Sequence, residues 1–140
     1  MTEHPFPVLG IDIGGTKIAV CLADSNGKIL DSERVEGGTQ QPYDEVVPEL
    51  ERLIRSVCAS AGIELNQVRA CGISAPGPLD IPGGIIEKTP NMVWEDVPVR
   101  DDLAERLQIP MTLQNDANGG ALAEWFFGAG MGCSDFIYLT

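Results

Sequence analysis

The first third of the chain alternates short apolar runs with turn residues. Val8–Ile13 and Lys17–Leu22 are predicted strands, and Lys28–Val35 is a third that follows the turn Asn26-Gly27. Asn-Gly between two apolar runs is a strong signal for a β-hairpin. The pattern therefore predicts three antiparallel strands joined by tight turns.

After Gly37-Gly38 the apolar positions recur three and four residues apart, which is typical of one face of a helix. The first predicted helix begins at Pro42 and ends at Gly62, and the second begins at Pro98 and ends at Pro110. Further predicted elements are strands at Val68–Ser74, Met111–Gln114 and Phe136–Thr140 and a helix at Asp116–Phe127. The order β-β-β-α-β-α-β-α-β indicates one α/β domain with a mixed sheet and helices on its faces.

A long irregular stretch, Ala75–Trp94, interrupts this regular order. Loops of that length inside a compact domain are usually functional. Thr89-Pro90-Asn91 would place polar donors beside Trp94, and donors next to an aromatic face suit a polyhydroxylated ligand. Ordinary core packing is the alternative for Trp94, and it is the expectation for Trp125, which lies on an alanine-rich helix.

The composition excludes several classes of protein. The net charge of −12, with 21 acidic against 9 basic residues, disfavours nucleic-acid binding. No apolar run approaches the roughly 20 residues of a membrane-spanning helix, and the first residues show no secretory signal. The composition thus indicates a globular domain that binds neither nucleic acid nor membrane.

The four cysteines form no CxxC pair, and the only histidine is His4, so we expect no zinc site from this chain alone. Cys21, Cys58 and Cys71 lie within apolar runs and are predicted to be buried, reduced thiols. Reduced thiols favour a cytoplasmic protein.

Residues 10 to 20, GIDIGGTKIAV, carry the first candidate chemistry. Adjacent glycines followed by a strand fit neither a Walker A loop nor a dinucleotide-binding fingerprint. The stretch is either a hairpin whose backbone amides and Thr16 hydroxyl hold phosphate, with Asp12 directed at a metal ion, or a plain turn with a solvated Asp12 and Lys17. Local chemistry alone leaves both interpretations open.

The second candidate is residues 113 to 125, LQNDANGGALAEW, where a strand delivers Asn115 and Asp116 to the start of a helix. Ligands of open α/β sheets gather at the carboxyl ends of the strands. Asp116 could accept the proton of a substrate hydroxyl while Asn115 orients it, or Asp116 could simply cap the helix. With one histidine near the N-terminus, no Ser/His/Asp set can be assembled.

Together these motifs resemble the N-terminal half of the ROK family of sugar kinases, with the greatest likeness to its bacterial glucokinases. The matching stretches are GIDIGGTKIAV, GISAPGPLD, TPNMVW, LQNDANGGALAEWFFGAG and the closing YLT, from about Val8 to Thr140. The resemblance implies an actin-like, ribonuclease-H-like lobe over residues 1–140. It also implies phosphorylation of a hexose, first of all the 6-hydroxyl of glucose, with ATP and Mg²⁺.

The resemblance assigns roles by position. It makes Asp116 the catalytic base and a sugar contact, and it implies that Asp12 is a candidate for Mg²⁺ binding. The other implied phosphate residues are Gly14, Gly15, Thr16 and Lys17, and the other implied sugar contacts are Gly77, Asn91 and Asn115.

The family pattern has a second half, which these 140 residues lack. Its second glycine-rich phosphate loop would follow Tyr138-Leu139-Thr140, and the adenosine site, a sugar-contacting Glu and His and a Cys/His zinc site would come later. We therefore expect the chain to be one lobe that does not turn over ATP by itself, within a full-length protein that forms homodimers.

Three alternatives accompany this expectation. The sugar could be another hexose, such as fructose, N-acetylglucosamine or N-acetylmannosamine. The family also contains sugar-sensing transcriptional repressors, but the short segment before the first strand and the negative charge disfavour a DNA-binding role. A sugar-binding module without catalysis would have no need of the carboxylate of Asp116.

Overall fold

The computed structural model describes residues 5–88 and 92–140. The strands are β1 (Pro7–Ile13), β2 (Lys17–Asp24), β3 (Ile29–Glu36), β4 (Cys71–Ala75), β5 (Leu79–Asp80), β6 (Ile85–Ile86) and β7 (Met111–Asn115). The helices are α1 (Tyr43–Ser60), α2 (Val99–Leu107) and α3 (Asp116–Phe127), with a short 3₁₀ helix at Leu65–Gln67. The predicted meander and the three predicted helices are confirmed, and the irregular stretch also contains the small β5–β6 hairpin.

The main sheet has five strands in the order β3-β2-β1-β4-β7. Strands β1, β2 and β3 are antiparallel, whereas β4 is parallel to both β1 and β7. The predicted mixed sheet is therefore confirmed. Because β1, β4 and β7 run in the same direction, their carboxyl ends meet at one edge, where Asp12 pairs with Ser74 and Ala75 pairs with Asn115.

The hydrophobic core lies between one face of this sheet and helices α1 and α2. Alternate strand residues point into it because side chains of a strand alternate between the two faces. The strands contribute Leu9, Ile11, Ile13, Ile18, Val20, Leu22, Cys71, Ile73 and Leu113, and the helices contribute Val46, Leu50, Leu53, Ile54, Val57, Val99, Leu103 and Leu107. The other face of the sheet therefore carries the remaining alternate positions, among them Gly10, Asp12, Gly72 and Ser74.

Helices α1 and α2 end where the backbone turns left-handed. Gly62, two residues after α1, has a φ of +69°, and Gln108 caps α2 with a φ of +56°. Glycine adopts this conformation without steric cost, which explains why α1 ends at the predicted place. Helix α2 ends at Gln108, before Pro110 could interrupt it.

The two tryptophans differ sharply in burial. Trp94 is 2 % exposed and belongs to the core, so its ring offers no open face to a ligand. Trp125 is 45 % exposed, and no side chain of α3 is buried. The Trp94 platform is therefore wrong, and the alternative of core packing is confirmed for Trp94. The core position expected for Trp125 is also wrong, because α3 lies on the less covered face of the sheet.

The predicted strand at Phe136–Thr140 is also wrong, since these residues pair with no strand of the described structure. The segment lies instead against α3. The rings of Phe136 and Trp125 meet edge to face at 6.2 Å, and Tyr138 packs so closely on Gly120 that an added Cβ there would lie 2.7 Å from its hydroxyl oxygen. Among residues 5–88 and 92–140, no helix has the length and apolar character needed to cross a membrane.

Candidate functional site

The carboxylates of Asp12 and Asp116 line one open groove of about 610 Å³ on the less covered face of the sheet. Asp12 is the penultimate residue of β1, and Asp116 begins α3 directly after β7. Ser74 of β4 pairs with Asp12 on one side and with Gln114 on the other, and it also lines the groove. The parallel strands thus bring together two acids that are far apart in the sequence.

Asn115 is the residue that caps helix α3. Its side-chain oxygen accepts hydrogen bonds from the amides of Ala117 at 3.0 Å and Asn118 at 3.4 Å. Asp116 is the first helical residue, and its Oδ1 accepts a bond from the amide of Ala117 at 2.8 Å. Asn115 is therefore the main N-cap of α3, whereas the sequence left it open whether Asp116 caps this helix.

The loop after β4 brings Gly77 to the same place. A Cβ added to Gly77 would lie 3.7 Å from Nδ2 of Asn115, so the two residues implied to contact a sugar are neighbours. Gly77 is exposed, and its backbone is open to a ligand from the side of solvent. Asn91, the third residue implied to contact a sugar, lies outside the described residues.

The Gly14-Gly15-Thr16-Lys17 segment forms the tight turn of the β1–β2 hairpin. The amide of Gly14 donates to the carbonyl of Lys17 at 2.8 Å, which closes the turn directly after Ile13 pairs with Ile18. The side chains of Thr16 and Lys17 are exposed, but neither they nor the two glycines line the groove. The turn is therefore adjacent to Asp12 without sharing the groove that Asp12 and Asp116 line.

The donor set around Asp12 fits magnesium better than zinc. Mg²⁺ is usually held by one or two carboxylates together with phosphate oxygens and water, and the exposed Asp12 carboxylate at the end of a strand suits that role. Within the described part of the chain, no three His, Cys, Asp or Glu side chains lie close enough to hold a metal ion. The thiol of Cys21 also lines the groove, and burial raises its pKa although a backbone hydrogen bond from Gly10 partly offsets this.

Sequence reasoning missed four polar residues of the groove, which are Ser32, Ser74, Thr112 and Gln114. The Gln114 side-chain oxygen accepts bonds from the amide of Asn115 at 2.9 Å and from Nδ2 of Asn118 at 3.2 Å, so it holds both sides of the strand-to-helix junction. The sequence signal that could have found Ser74 and Gln114 is the alternation of side chains between the two faces of strands β4 and β7. Ser74 and Gln114 stand one residue from the core residues Ile73 and Leu113 and must point to the opposite face.

Comparison with known proteins gives a match to the ROK family over residues 8–140. The glucokinase of Thermotoga maritima is 36 % identical over 134 residues, which are 95 % of this chain and 41 % of that protein. A xylose repressor of Caldicellulosiruptor bescii is 29 % identical over 95 % of this chain and 33 % of the repressor. The chain thus spans well under half the length of these relatives.

The similar solved structures also include ROK family sugar kinases, of which this chain covers only a part. A ROK family glucokinase from Streptomyces griseus, in complex with glucose and AMPPNP, superposes with a TM-score of 0.77 at 32 % identity, covering 90 % of this chain and 38 % of that one. The ROK hexokinase from Thermus thermophilus superposes with a TM-score of 0.75 at 34 % identity, covering 90 % of this chain and 39 % of the hexokinase. The described fold is therefore the N-terminal part of such proteins.

Proposed function

The chain belongs to the ROK family, and from this premise we propose that residues 1–140 are the N-terminal, sugar-binding lobe of an ATP-dependent hexose kinase that phosphorylates the 6-hydroxyl of glucose. The observation that carries the proposal is the sharing of one groove by Asp12 and Asp116 at the carboxyl edge of the sheet. Kinases and glucokinases among the relatives support it.

The proposal gives the residues at the carboxyl edge of the sheet distinct chemical roles. Asp116 accepts the proton of the sugar hydroxyl, since its Oδ2 makes no hydrogen bond with the described residues while Oδ1 is held by the amide of Ala117. A carboxylate of ordinary acidity is sufficient, because phosphoryl transfer depends mainly on positioning and charge stabilisation. Asn115 and the backbone of Gly77 orient the sugar, to which the family pattern adds Asn91.

In this proposal the Gly14–Lys17 turn after β1 binds the phosphate groups. The amides of Gly15 and Thr16 and the exposed Thr16 hydroxyl are donors for phosphate oxygens, and Lys17 adds positive charge. Asp12, near the end of β1, would hold Mg²⁺. When bound, ATP with Mg²⁺ would supply the γ-phosphoryl group, with ADP as the leaving group. The sugar oxygen would accept that group while its proton passes to Asp116.

A second candidate, a sugar-sensing repressor lobe, is favoured by the similarity to a xylose repressor. The two candidates differ at Asp116. A sensor needs only to bind sugar, whereas a kinase also needs a base next to the reacting hydroxyl.

The test is a chimera in which residues 1–140 precede the C-terminal part of the Thermotoga maritima glucokinase, assayed for glucose-dependent ADP formation. Residues 1–140 by themselves are the matched control, for which we expect no turnover. Fructose, N-acetylglucosamine and N-acetylmannosamine in place of glucose establish which hexose is preferred. A folded chimera that binds sugar but turns over none of these hexoses would favour the repressor alternative.

The Asp116→Asn variant of the chimera isolates the base. We expect turnover to fall by a factor on the order of 10² or more with sugar affinity roughly kept, as for the loss of a general base. Unchanged turnover would remove Asp116 from the mechanism.

A further inference from the structure

The segment Gly37–Gln41, between β3 and α1, contacts both the Gly14–Lys17 turn and the region around Trp94. We call it the linking segment. None of its residues has been assigned a role above. Nearly all its hydrogen bonds run either to the Gly14–Thr16 turn or to Val93 and Trp94. The linking segment therefore joins the Gly14–Thr16 turn to Val93 and Trp94.

On one side the linking segment is tied to the turn by three backbone hydrogen bonds. The amide of Gly37 donates to the carbonyl of Thr16 at 2.8 Å, that of Thr39 to Gly14 at 3.1 Å and that of Gln40 to Gly15 at 3.3 Å. Every carbonyl from Gly14 to Thr16 thus has an amide of this segment as its donor. The position of the turn is fixed by the segment rather than by the hairpin alone.

The contact is so close that a side chain would not fit at Gly38. A Cβ there would lie 2.2 Å from the carbonyl oxygen of Gly14, and the φ of Gly38 is +124°. Both facts require glycine at this position. Glycine at position 38 therefore allows the two backbones to meet.

On the other side the linking segment is held by the end of the irregular stretch. The amide of Val93 donates to the carbonyl of Thr39 at 2.8 Å, and Nε1 of Trp94 donates to the carbonyl of Gln41 at 2.7 Å. Trp94 is itself fixed, because its ring is buried and meets Tyr43 edge to face at 4.9 Å. Thr39 therefore bonds to the turn through its amide and to Val93 through its carbonyl.

We propose that Trp94 is a positioning residue that acts through the linking segment, so that the order of residues 92–94 and the order of the Gly14–Thr16 turn are coupled. Coupling of this kind is reciprocal: whatever fixes one end must favour the fixed form of the other. Under the proposed function, on which this biological role rests, a sugar that orders residues 92–94 would also help to order the Gly14–Thr16 turn. The coupling itself is a property of the 140-residue chain.

Hydrogen exchange measured by NMR on the 140-residue chain tests the coupling without sugar or ATP. The variant Trp94→Phe removes the indole donor and keeps an aromatic ring in the core. We expect exchange of the Thr39 and Gly37 amides to accelerate about fivefold relative to the amide of Ile11, as for the loss of one hydrogen bond. Ile11, in the middle of β1, reports global unfolding.

Ile109→Val is the matched control, since it trims a buried core residue that makes no backbone hydrogen bond with the linking segment. In this control the ratio of Thr39 to Ile11 exchange should stay unchanged. An unchanged ratio in Trp94→Phe as well would overturn the proposal and leave Trp94 as a core residue only.

The unmodified chain supplies a second measurement, which holds even if Trp94→Phe does not fold. If the coupling exists, the indole hydrogen of Trp94 and the amide hydrogen of Thr39 are released by the same local opening, with protection factors within about threefold of each other. Clearly different protection factors would overturn it. Neither measurement depends on kinase activity, so a failure of the proposed function would leave this result standing, and the reverse is also true.

Discussion

The side-chain oxygen of Asn115 accepts the amide of Ala117 at 3.0 Å and so caps helix α3. Its neighbour Asp116 is consequently not needed as a cap, and its carboxylate is exposed at the edge of the groove. Asn115 thus has the structural role of capping the helix, and the carboxylate of Asp116 is left for a chemical role. The sequence alone was compatible with both roles for Asp116. This division can be tested by stability alone, before any activity is measured.

We expect Asn115→Ala to lower the free energy of unfolding by about 1 kcal/mol, the usual cost of losing an N-cap. Asn115→Asp should keep most of the stability, because Asp caps as well as Asn. Asp116→Asn should cost only a few tenths of a kcal/mol, since Asn keeps the oxygen acceptor and loses only the charge at the helix N-terminus. Urea unfolding followed by circular dichroism gives all three values; a larger loss for Asp116→Asn than for Asn115→Ala would contradict the division.

Glycine at position 38 should be far less replaceable than glycine at position 62. Gly38→Ala places a Cβ 2.2 Å from the Gly14 carbonyl oxygen, whereas nothing lies within 4 Å of a Cβ at Gly62. Both residues have positive φ, so both variants carry the backbone strain of about 1 kcal/mol, and only Gly38→Ala adds the clash. We expect a clearly larger drop in melting temperature for Gly38→Ala, and equal drops would show that the linking segment moves away freely.

The sequence predicted the elements that rest on local patterns. The meander follows from alternation and the Asn26-Gly27 turn, and α1 follows from its apolar face and Gly62, so both are found close to the predicted bounds. The segment 136–140 has an equally apolar pattern, but a strand also needs a partner strand, and apolar periodicity says nothing about which partner is available. Tyr138 and Phe136 lie on α3 instead.

The sequence indicated the two acids of the groove, Asp12 and Asp116, but neither its other polar residues nor its connections. Asp12 lies near the end of the first strand and Asp116 directly follows β7, and ligands of open α/β sheets gather at the carboxyl ends of strands. The division between Asn115 and Asp116 was not predictable, because Asn and Asp are equally good caps and a one-residue difference in the helix start decides between them. The bonds from Thr39 to Gly14 and Val93 depend on the tertiary packing of three separated segments, which no local pattern contains.

Alkaline pH should destabilise the fold through its buried thiols. Burial, and secondarily the charges of Cys21 and Cys58, raises the pKa of Cys71 to about 12 from the ordinary value of 9.0. Above pH 9 the unfolded chain releases this proton while the folded chain keeps it, so stability that is fully present below pH 9 declines as the pH rises towards 12. At pH 11 the loss for this one group is roughly 3 kcal/mol.

The variant Cys71→Ala removes this group, so its free energy of unfolding should fall less steeply between pH 9 and 11 than that of the unmodified chain. Cys133→Ala is the control: Cys133 is exposed, and its removal should leave the slope unchanged. Urea unfolding at several pH values measures the slopes. Identical slopes for Cys71→Ala and the unmodified chain would show that the Cys71 thiol ionises in the folded state as it does in the unfolded one.

The two tryptophans should differ sharply in fluorescence, because Trp94 is 2 % and Trp125 45 % exposed. The chain has only these two, so Trp125→Phe reports on Trp94 alone and Trp94→Phe reports on Trp125 alone. We expect Trp125→Phe to emit at shorter wavelength and to resist quenching by acrylamide, and Trp94→Phe to emit at longer wavelength and to be quenched several times more strongly. Both variants are compared only after their far-ultraviolet circular dichroism matches that of the unmodified chain. Equal quenching of the two would contradict the placement of α3 with its aromatic side chains towards solvent, and with it the open groove that Asp12 and Asp116 share.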